Sequence, residues 1–395
     1  MEDIFTDYTA DFRNAKGGEG FSINFFANFL ARANFSRRLG PTARLKRLRR
    51  RGERRESSAL ASKIATRGLA ERSGAPYNKG ENAANERVSP QVKERRLSRR
   101  RRNLGKRGKT VFPGLTIIGE SINDSVPSTN AMFEAADFDG IKELARFQAE
   151  NGAAYIDANV GTRSPEFMAA VVKAICEATD KPISVDSPDF ALAEAGLRAC
   201  DPSRGKPILN SISPLRTEMF DLYEIAPFRP ILLLTEYVDA DGNGAPSRTA
   251  EETYAAAELL FAEAKKRGIP NDDIIFDPGV APIGSDFEGN LARLLDALKM
   301  IKANPEMAGV HASVGLSNFT VMLPPKRKCD GSPVKSPLES ALLTMAFPLG
   351  LDYVVGSVKR KYEPLSDDAP AMECVRECLE LGGFESISRV RKFYR

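Results

Sequence analysis

Eight short apolar runs, each followed by a longer segment of helical period, dominate the chain from residue 111 onward. The alternation of such runs with helical segments is typical of a parallel sheet covered by helices. The runs span residues 116–119, 154–158, 182–185, 207–209, 230–235, 273–276, 310–314 and 352–355. Eight strand–helix units between residues 111 and 395 predict an α/β fold of the (β/α)8 TIM barrel type, whose usual length is about 250 residues.

Signals for helix ends support this register. Helices are predicted at 137–151, 165–179, 190–199, 215–225, 250–267, 286–302, 337–349 and 367–381. Asp137 and Ser164 are predicted N-caps, Ser247 or Thr249 is the predicted cap of the fifth helix, and Gly268 ends that helix. An open doubly wound sheet is the alternative. It would carry a glycine-rich dinucleotide fingerprint after the first strand, where the sequence reads Gly-Glu-Ser-Ile-Asn instead.

Residues 1–110 differ in composition from the rest of the chain. They contain 28 of the 57 Lys and Arg residues but 11 of the 53 Asp and Glu residues, which gives formal charges of +17 there and −13 over residues 111–395. Arginine runs at 49–51 and 99–102 lie in sequence with little apolar periodicity. We therefore predict a basic, mostly disordered extension over 1–110 and one barrel domain over 111–395. A polyanion-binding tail, an organelle transit peptide and an upstream segment without a role in the chemistry are all open interpretations.

The counts of histidine and cysteine exclude several classes of site. A single histidine excludes three-histidine zinc sites, the HExxH pattern and haem held by two histidines, and no metal site is predicted. Five cysteines without tight spacing do not form a disulfide framework. The sequence shows neither an apolar run of about 18 residues nor a secretory signal. We therefore expect a cytoplasmic protein that does not span a membrane.

Polar side chains follow the predicted strands, at the edge where barrel enzymes carry their chemistry. Most of them are carboxylates or carboxamides, with little Lys or Arg among them. They are Glu120, Asn123, Asp157, Asn159, Asp186, Ser187, Asn210, Ser211, Glu236, Asp277, Ser317 and Asn318.

This set of side chains favours a particular class of ligand. A phosphate-bearing substrate would require cations or a glycine-rich helix N-terminus. A flat heterocycle with an amidine-like edge fits, because a carboxylate accepts two parallel N–H bonds from that edge and an amide supplies both donor and acceptor. Pterins have such an edge. A Mg²⁺ enzyme, and simple N-capping by individual Asp and Asn residues, remain alternatives.

The strand ends also carry an ordered series of motifs over about residues 115–360. They read Ile-Gly-Glu-Ser-Ile-Asn (118–123), Tyr-Ile-Asp-Ala-Asn-Val-Gly (155–161), Ile-Ser-Val-Asp-Ser (183–187), Ile-Leu-Asn-Ser-Ile-Ser (208–213), Phe-Asp-Pro (276–278) and Gly-Leu-Ser-Asn (315–318). In this order they resemble the pterin-binding barrels. Within that family they resemble the methyltetrahydrofolate:corrinoid-protein methyltransferases and the folate module of cobalamin-dependent methionine synthase. One departure is Ser121, where many relatives have Arg.

The resemblance implies roles for individual residues. Asp186, Asn210 and Asp277 would hydrogen-bond the pterin ring, and Asn318, the one residue with an implied catalytic role, would lie near N5. The remaining residues implied to line the substrate site are Asp157, Asn159, Glu120, Asn123, Ser211, Gly315 and Ser317.

The same resemblance implies the reaction and its partners. A methyl group would move between N5 of a methyl-tetrahydropterin, such as tetrahydrofolate, and a cobalt(I) corrinoid. The corrinoid is expected on a partner protein, because this chain has no Asp-x-His-x-x-Gly motif of a cobalamin-binding module. We also expect a homodimer. Dihydropteroate synthases are the alternative within the barrel family, but their Ser-Arg-Lys cluster and late Arg-x-His pattern are missing. A nucleic-acid binder that uses the basic tail is the alternative from another class, and nucleic acid is not the partner we expect.

Overall fold

Eight parallel strands form one sheet in the computed structural model, which describes residues 112–395. The predictions for residues 1–110 lie outside the described residues. The sheet order is β10-β1-β2-β3-β4-β5-β8-β9, and β6 and β7 form a separate antiparallel hairpin. The strands are β1 (Thr116–Gly119), β2 (Tyr155–Ala158), β3 (Ile183–Asp186), β4 (Ile208–Ile212), β5 (Arg229–Leu233), β6 (Glu236–Val238), β7 (Gly244–Pro246), β8 (Ile275–Asp277), β9 (His311–Ala312) and β10 (Tyr353–Gly356).

The first and last strands of this order close the sheet into a barrel. Parallel bridges join Ala312 to Leu351 and Gly315 to Val355, which connects β9 to β10. The amide of Val355 donates to the carbonyl of Val314 at 3.0 Å across the same seam. These bridges close the eight-stranded sheet, so the predicted (β/α)8 barrel is confirmed.

Helices follow most of the barrel strands and cover the outside of the barrel. They are α1 (Pro127–Glu134), α2 (Phe138–Glu150), α3 (Pro165–Ala178), α4 (Phe190–Ala199), α5 (Ala250–Lys266), α6 (Asn290–Ala303), α7 (Leu316–Phe319), α8 (Lys335–Ala346), α9 (Pro370–Leu381) and α10 (Gly383–Tyr394). No helix within residues 112–395 is both long and apolar enough to cross a membrane.

Several predicted helix ends are confirmed by hydrogen bonds. The side chains of Asp137 and Ser164 accept bonds from Gly140 and Phe167 at the starts of α2 and α3. Thr249 caps α5 in a capping box with Glu252. Gly268 has φ +70° just after α5, a backbone region in which glycine is unstrained.

Three features differ from the sequence-based expectation. The predicted helix at 215–225 is a 3₁₀ helix, Thr217–Glu224, in which the buried Met219 and Leu222 are three residues apart and so lie on the same side of a three-residue turn. The residues between the fifth barrel strand and α5 contain the β6–β7 hairpin, which has no counterpart among the predicted strands. Helices α1, α7 and α10 have no counterpart among the eight predicted helices.

The interior of the barrel is filled by side chains at one level of the strands. A buried cluster there contains Ile118, Ile208, Ile231, Ile275 and Tyr353, contributed by five different strands. Residues two apart on a strand point to the same face. The residues two positions further along these strands therefore also point into the barrel, closer to its carboxyl-terminal mouth.

Candidate active site at the barrel mouth

The strand register sets which polar residues face the mouth. Glu120, Asn210 and Asp277 each lie two residues beyond an interior isoleucine, namely Ile118, Ile208 and Ile275. Asp157 follows Tyr155, which packs against the same apolar cluster. A hydrophobic floor with a ring of polar side chains above it results from the two-residue period of the strands.

Asp157 lies deep in this ring. It is fully buried, and its Oδ1 accepts a hydrogen bond from the Ser184 hydroxyl at 2.6 Å. Burial, followed by the negative charge of the neighbouring Asp186, raises the pKa of Asp157 well above its usual value. Of the two carboxyl groups, that of Asp157 therefore holds a proton more readily than that of Asp186.

Asp186 is held in place by a neighbouring amide. The Nδ2 of Asn159 donates to Asp186 Oδ2 at 2.9 Å, while the Oδ1 of Asn159 accepts from the amide of Gly161 at 2.9 Å. Burial raises the pKa of Asp186 to about 6. The contact between two predicted site residues is present, and it gives Asn159 a role in orienting Asp186.

Asn210 and Asp277 complete the lining from the neighbouring strands. Asn210 pairs in register with Asp186 across β4 and β3, and a cis peptide bond links it to Ser211. The amide of Gly279 donates to Asp277 Oδ1 at 2.8 Å, and burial raises the pKa of Asp277 to about 7. The carboxyl groups of Asp186 and Asp277 thus both titrate near neutral pH.

A buried arginine that the sequence-based reasoning missed supports Asp277. Arg293 on α6 is 7% exposed and donates to the carbonyl of Pro278 at 2.7 Å and to Thr253 Oγ1 at 2.9 Å. Its charge lowers the pKa of Asp277 but does not outweigh burial. The only available signal was a basic residue on the apolar face of a predicted helix.

Glu120 and Ser317 contact each other although they are 197 residues apart in the sequence. The Ser317 hydroxyl donates to Glu120 Oε1 at 2.6 Å. Burial raises the pKa of Glu120 to about 7, and the bond from Ser317 lowers it in part. The Ser317 hydroxyl therefore donates its hydrogen bond within the chain, to Glu120.

Asn318 and Gly315 form a tight turn beside this contact. The amide of Asn318 donates to the carbonyl of Gly315 at 2.9 Å. A Cβ atom at Gly315 would lie 2.8 Å from the Asn318 side-chain nitrogen, closer than such atoms approach. Glycine at this position lets the Asn318 carboxamide fold against its own turn.

Two of the polar residues predicted at strand ends have other local partners. Asn123 Oδ1 accepts from the amide and the hydroxyl of Ser125, which builds the turn after β1. Glu236 lies on the hairpin and accepts from the Ser213 hydroxyl. Within residues 112–395 there is no group of three or more His, Cys, Asp and Glu side chains arranged to hold a metal ion.

The site as a whole offers oriented hydrogen-bond acceptors whose side chains are buried or half-buried at the barrel mouth. Three half-buried carboxyl groups, those of Glu120, Asp186 and Asp277, have pKa values raised by burial, and their ionised forms are stabilised by any bound group that donates hydrogen bonds to them. With Asn210 beside them, they match a ligand that is rich in N–H donors along one edge. The fold and the mouth together define a (β/α)8-barrel enzyme for a polar ring compound.

The family model described as pterin binding enzyme matches residues 122–355, and the chain belongs to that family. The match begins in the first strand-end motif and ends in β10. The resemblance to the pterin-binding barrels is therefore confirmed.

Individual relatives extend the comparison. A methylcorrinoid:tetrahydrofolate methyltransferase of Eubacterium limosum is 27% identical over 250 residues, which cover 61% of this chain and 84% of the relative. The structure of 7,8-dihydropteroate synthase from Vibrio fischeri is 16% identical, covers 68% of this chain and 94% of its own, and superposes with a TM-score of 0.42. Dihydropteroate synthase from Thermus thermophilus is 22% identical, covers 68% and 92%, and has a TM-score of 0.41.

Proposed function

We propose that this protein transfers a methyl group between N5 of a methyl-tetrahydropterin, tetrahydrofolate in particular, and the cobalt(I) corrinoid of a partner protein. The observation that carries the proposal is the ring of buried and half-buried carboxyl and carboxamide groups at the mouth of a pterin-family barrel. The Eubacterium limosum relative, whose name describes transfer between a methylcorrinoid and tetrahydrofolate, supports the choice of reaction.

The polar ring fits the edge of a pterin. Asp186 and Asp277 would accept N–H bonds from the amidine-like edge, and Asn210 would both donate and accept. Asn159 orients Asp186, and Arg293 holds the loop that follows Asp277. Binding is therefore assigned to residues whose own positions are fixed by further contacts.

The transfer step requires a change of protonation at N5. The N5–CH₃ bond breaks, its electron pair stays on the nitrogen, and a proton on N5 prevents the formation of a very poor anionic leaving group. The reduced corrinoid supplies the electron pair for the new bond to the methyl carbon. Asn318 would stabilise the protonated nitrogen by accepting a hydrogen bond from it through the carboxamide oxygen.

The proposed methyl transfer requires that a partner protein bind at the mouth of the barrel. The corrinoid arrives on a partner protein whose domain covers the open mouth during transfer, since the other end of the barrel interior is closed by the apolar cluster. Formation of a homodimer stays a prediction, as does a cytoplasmic location.

The direct test uses the full chain with methyltetrahydrofolate and cobalt(I) cobalamin, followed by absorbance as methylcobalamin forms. We expect transfer that depends on enzyme concentration and saturates with the pterin. Pterin binding by calorimetry without any methyl transfer, together with condensation of a pterin pyrophosphate with aminobenzoate, would instead indicate a dihydropteroate synthase.

A further inference from the structure

Asn318 lies on a helix, α7, that is too short to hold its own position in the barrel. Helix α7 has four residues, and neither Gly315 before it nor Thr320 after it provides a side-chain cap. A single turn of helix has little stability by itself, because nucleation fixes several residues for one hydrogen bond. Contacts from outside α7 are therefore needed to hold the turn from which the Asn318 carboxamide projects.

Two hydroxyl groups provide such contacts, one on each side of Asn318. Ser317, immediately before it, donates to Glu120 at the end of β1 at 2.6 Å. Thr320, two residues after it, donates to Oε1 of Glu339 on helix α8. The turn that holds Asn318 is thus attached to two different elements of the barrel by hydroxyl–carboxylate hydrogen bonds.

Glu339 is the less expected of the two acceptors. Glu339 and Thr320 are both fully buried, so their contact excludes water. Arg360, on the segment after β10, donates to the same Glu339 oxygen at 2.8 Å. One carboxylate oxygen therefore joins the turn of Asn318, helix α8 and the loop of the eighth barrel strand.

We propose that Glu339 is a positioning residue, which sets the placement of the Asn318 carboxamide for methyl transfer through its hydrogen bond with the Thr320 hydroxyl. The inference rests on the proposed function and extends it to residues outside the polar ring of the mouth. None of Thr320, Glu339 and Arg360 has a place among the predicted pterin contacts.

A role of the Glu339–Arg360 pair in stability alone has less support than a positioning role. A buried ion pair often contributes no more to stability than apolar residues of similar volume, because desolvation offsets the attraction. A hydrogen-bonded carboxylate does, however, fix direction, which packing between apolar groups does not do as sharply. Misplacement of a reacting group by about 1 Å can cost on the order of 10²-fold in rate.

The test removes the Thr320 hydroxyl and leaves its volume. In Thr320→Val we expect kcat for methyl transfer to fall by about tenfold or more, while the dissociation constant of the pterin changes by less than about threefold. Thr320→Ser keeps the hydroxyl and should retain kcat close to that of the native chain. If Thr320→Val does not fold, Thr320→Cys, with a thiol that is a weak donor, is measured in its place with the same expectations.

Thr344→Val is the matched control. Thr344 lies on the same helix as Glu339, and its hydroxyl donates to the carbonyl of Ser340 at 2.7 Å and accepts from the amide of Leu365 at 3.1 Å, away from α7. Equal kcat values for Thr320→Val and Thr344→Val would overturn the inference. The inference would also be overturned if Thr320→Val lowered kcat by the same factor in a Glu339→Gln background as in the native chain. In that background the acceptor is neutral and the hydrogen bond is weaker, so removal of the hydroxyl should have a smaller effect.

The same assay separates the two proposals. A native chain that transfers no methyl group counts against the proposed function, and the inference about Glu339 falls with it. A native chain that is active, with Thr320→Val at the level of the control, counts against the inference alone.

Discussion

The hydroxyl of Ser317 donates a 2.6 Å hydrogen bond to Glu120, a residue 197 positions away in the sequence. The bond joins the end of the first barrel strand to the loop that follows the seventh. It also places a carboxyl group with a pKa of about 7 next to the turn that carries Asn318. Protonation at the mouth and the position of Asn318 are thus connected through one contact.

The first prediction concerns the titration of Glu120. Burial is the main cause of its raised pKa; beyond that, the charge of Glu339 raises the pKa, and the charge of Arg360 lowers it. Glu339→Gln should therefore lower the pKa of Glu120, and Arg360→Met should raise it. Both changes break the same ion pair, so general damage to the fold would shift the pKa in the same direction in both variants.

These opposite shifts can be measured by NMR with carbon-13 in the glutamate carboxyl groups. The native chain and Glu120→Gln are compared first to assign the signal. Shifts of the same sign in the two variants, or no shift in either, would contradict the electrostatic coupling of Glu120 to the pair.

Asn318→Ala tests the residue assigned to the reaction itself. Because the contact with N5 is strongest in the transition state, we expect kcat to fall by roughly 10²-fold or more and pterin affinity to change little. Single-turnover methyl transfer and calorimetry measure the two quantities separately. Asn151→Ala, at the C-terminal end of α2, is the control, and a turnover of Asn318→Ala equal to that of the control would show that Asn318 has no such role.

The strand-end positions could be predicted from the sequence because they depend on local pattern. Eight apolar runs determine eight strands, and the residue that follows each run falls at the carboxyl edge, as Asp186 and Asp277 do. The two-residue period then decides which of these residues face inward. The polar ring of the mouth follows from these two rules.

Residues that support the ring from further away could not be predicted in this way. Arg293, Thr320 and Glu339 act through contacts between elements that are distant in sequence, and no local pattern distinguishes a buried Glu on a helix from an exposed one. Asn123, conversely, had the right position but makes a turn with Ser125. An Asn at a strand end can serve the backbone as well as a ligand.

Asp186→Ala and Asp277→Ala test the assignment of pterin binding. Each removes a half-buried acceptor from the ring of the mouth, so the dissociation constant of the pterin should rise by about tenfold or more. Calorimetry with the full chain measures it. Asp296→Ala, in an exposed ion pair with Lys299 on α6, is the control, and pterin affinity at the control's level in both site variants would refute this binding mode.

Pterin affinity should also depend on pH. Burial raises the pKa of Asp186 to about 6 and that of Asp277 to about 7, so both are increasingly protonated as the pH falls below 7. A protonated carboxyl cannot accept two N–H bonds, and we expect affinity to decline between pH 8 and pH 5, by roughly tenfold per unit for each carboxylate below its pKa. Asp277→Asn should remove the part of the decline that begins near pH 7. A flat profile in the native chain would show that the neutral forms bind equally well.

The last prediction concerns stability at the opposite end of the barrel, where His311 Nδ1 lies 2.7 Å from Asp352 Oδ2. Burial lowers the pKa of His311, but the hydrogen bond and charge of Asp352 outweigh it, so the pKa is raised overall. The unfolded chain has the ordinary histidine pKa of about 6.5, so the stability from this pair is fully present below that pH. It is lost as the pH rises through the folded pKa. Asp352→Asn should therefore lower the Tm by roughly 2–4 °C at pH 5.5 and by less at pH 9. Thermal unfolding at the two pH values measures this, and a loss at pH 9 as large as that at pH 5.5 would mean that Asp352 acts through packing and not through the charge of His311.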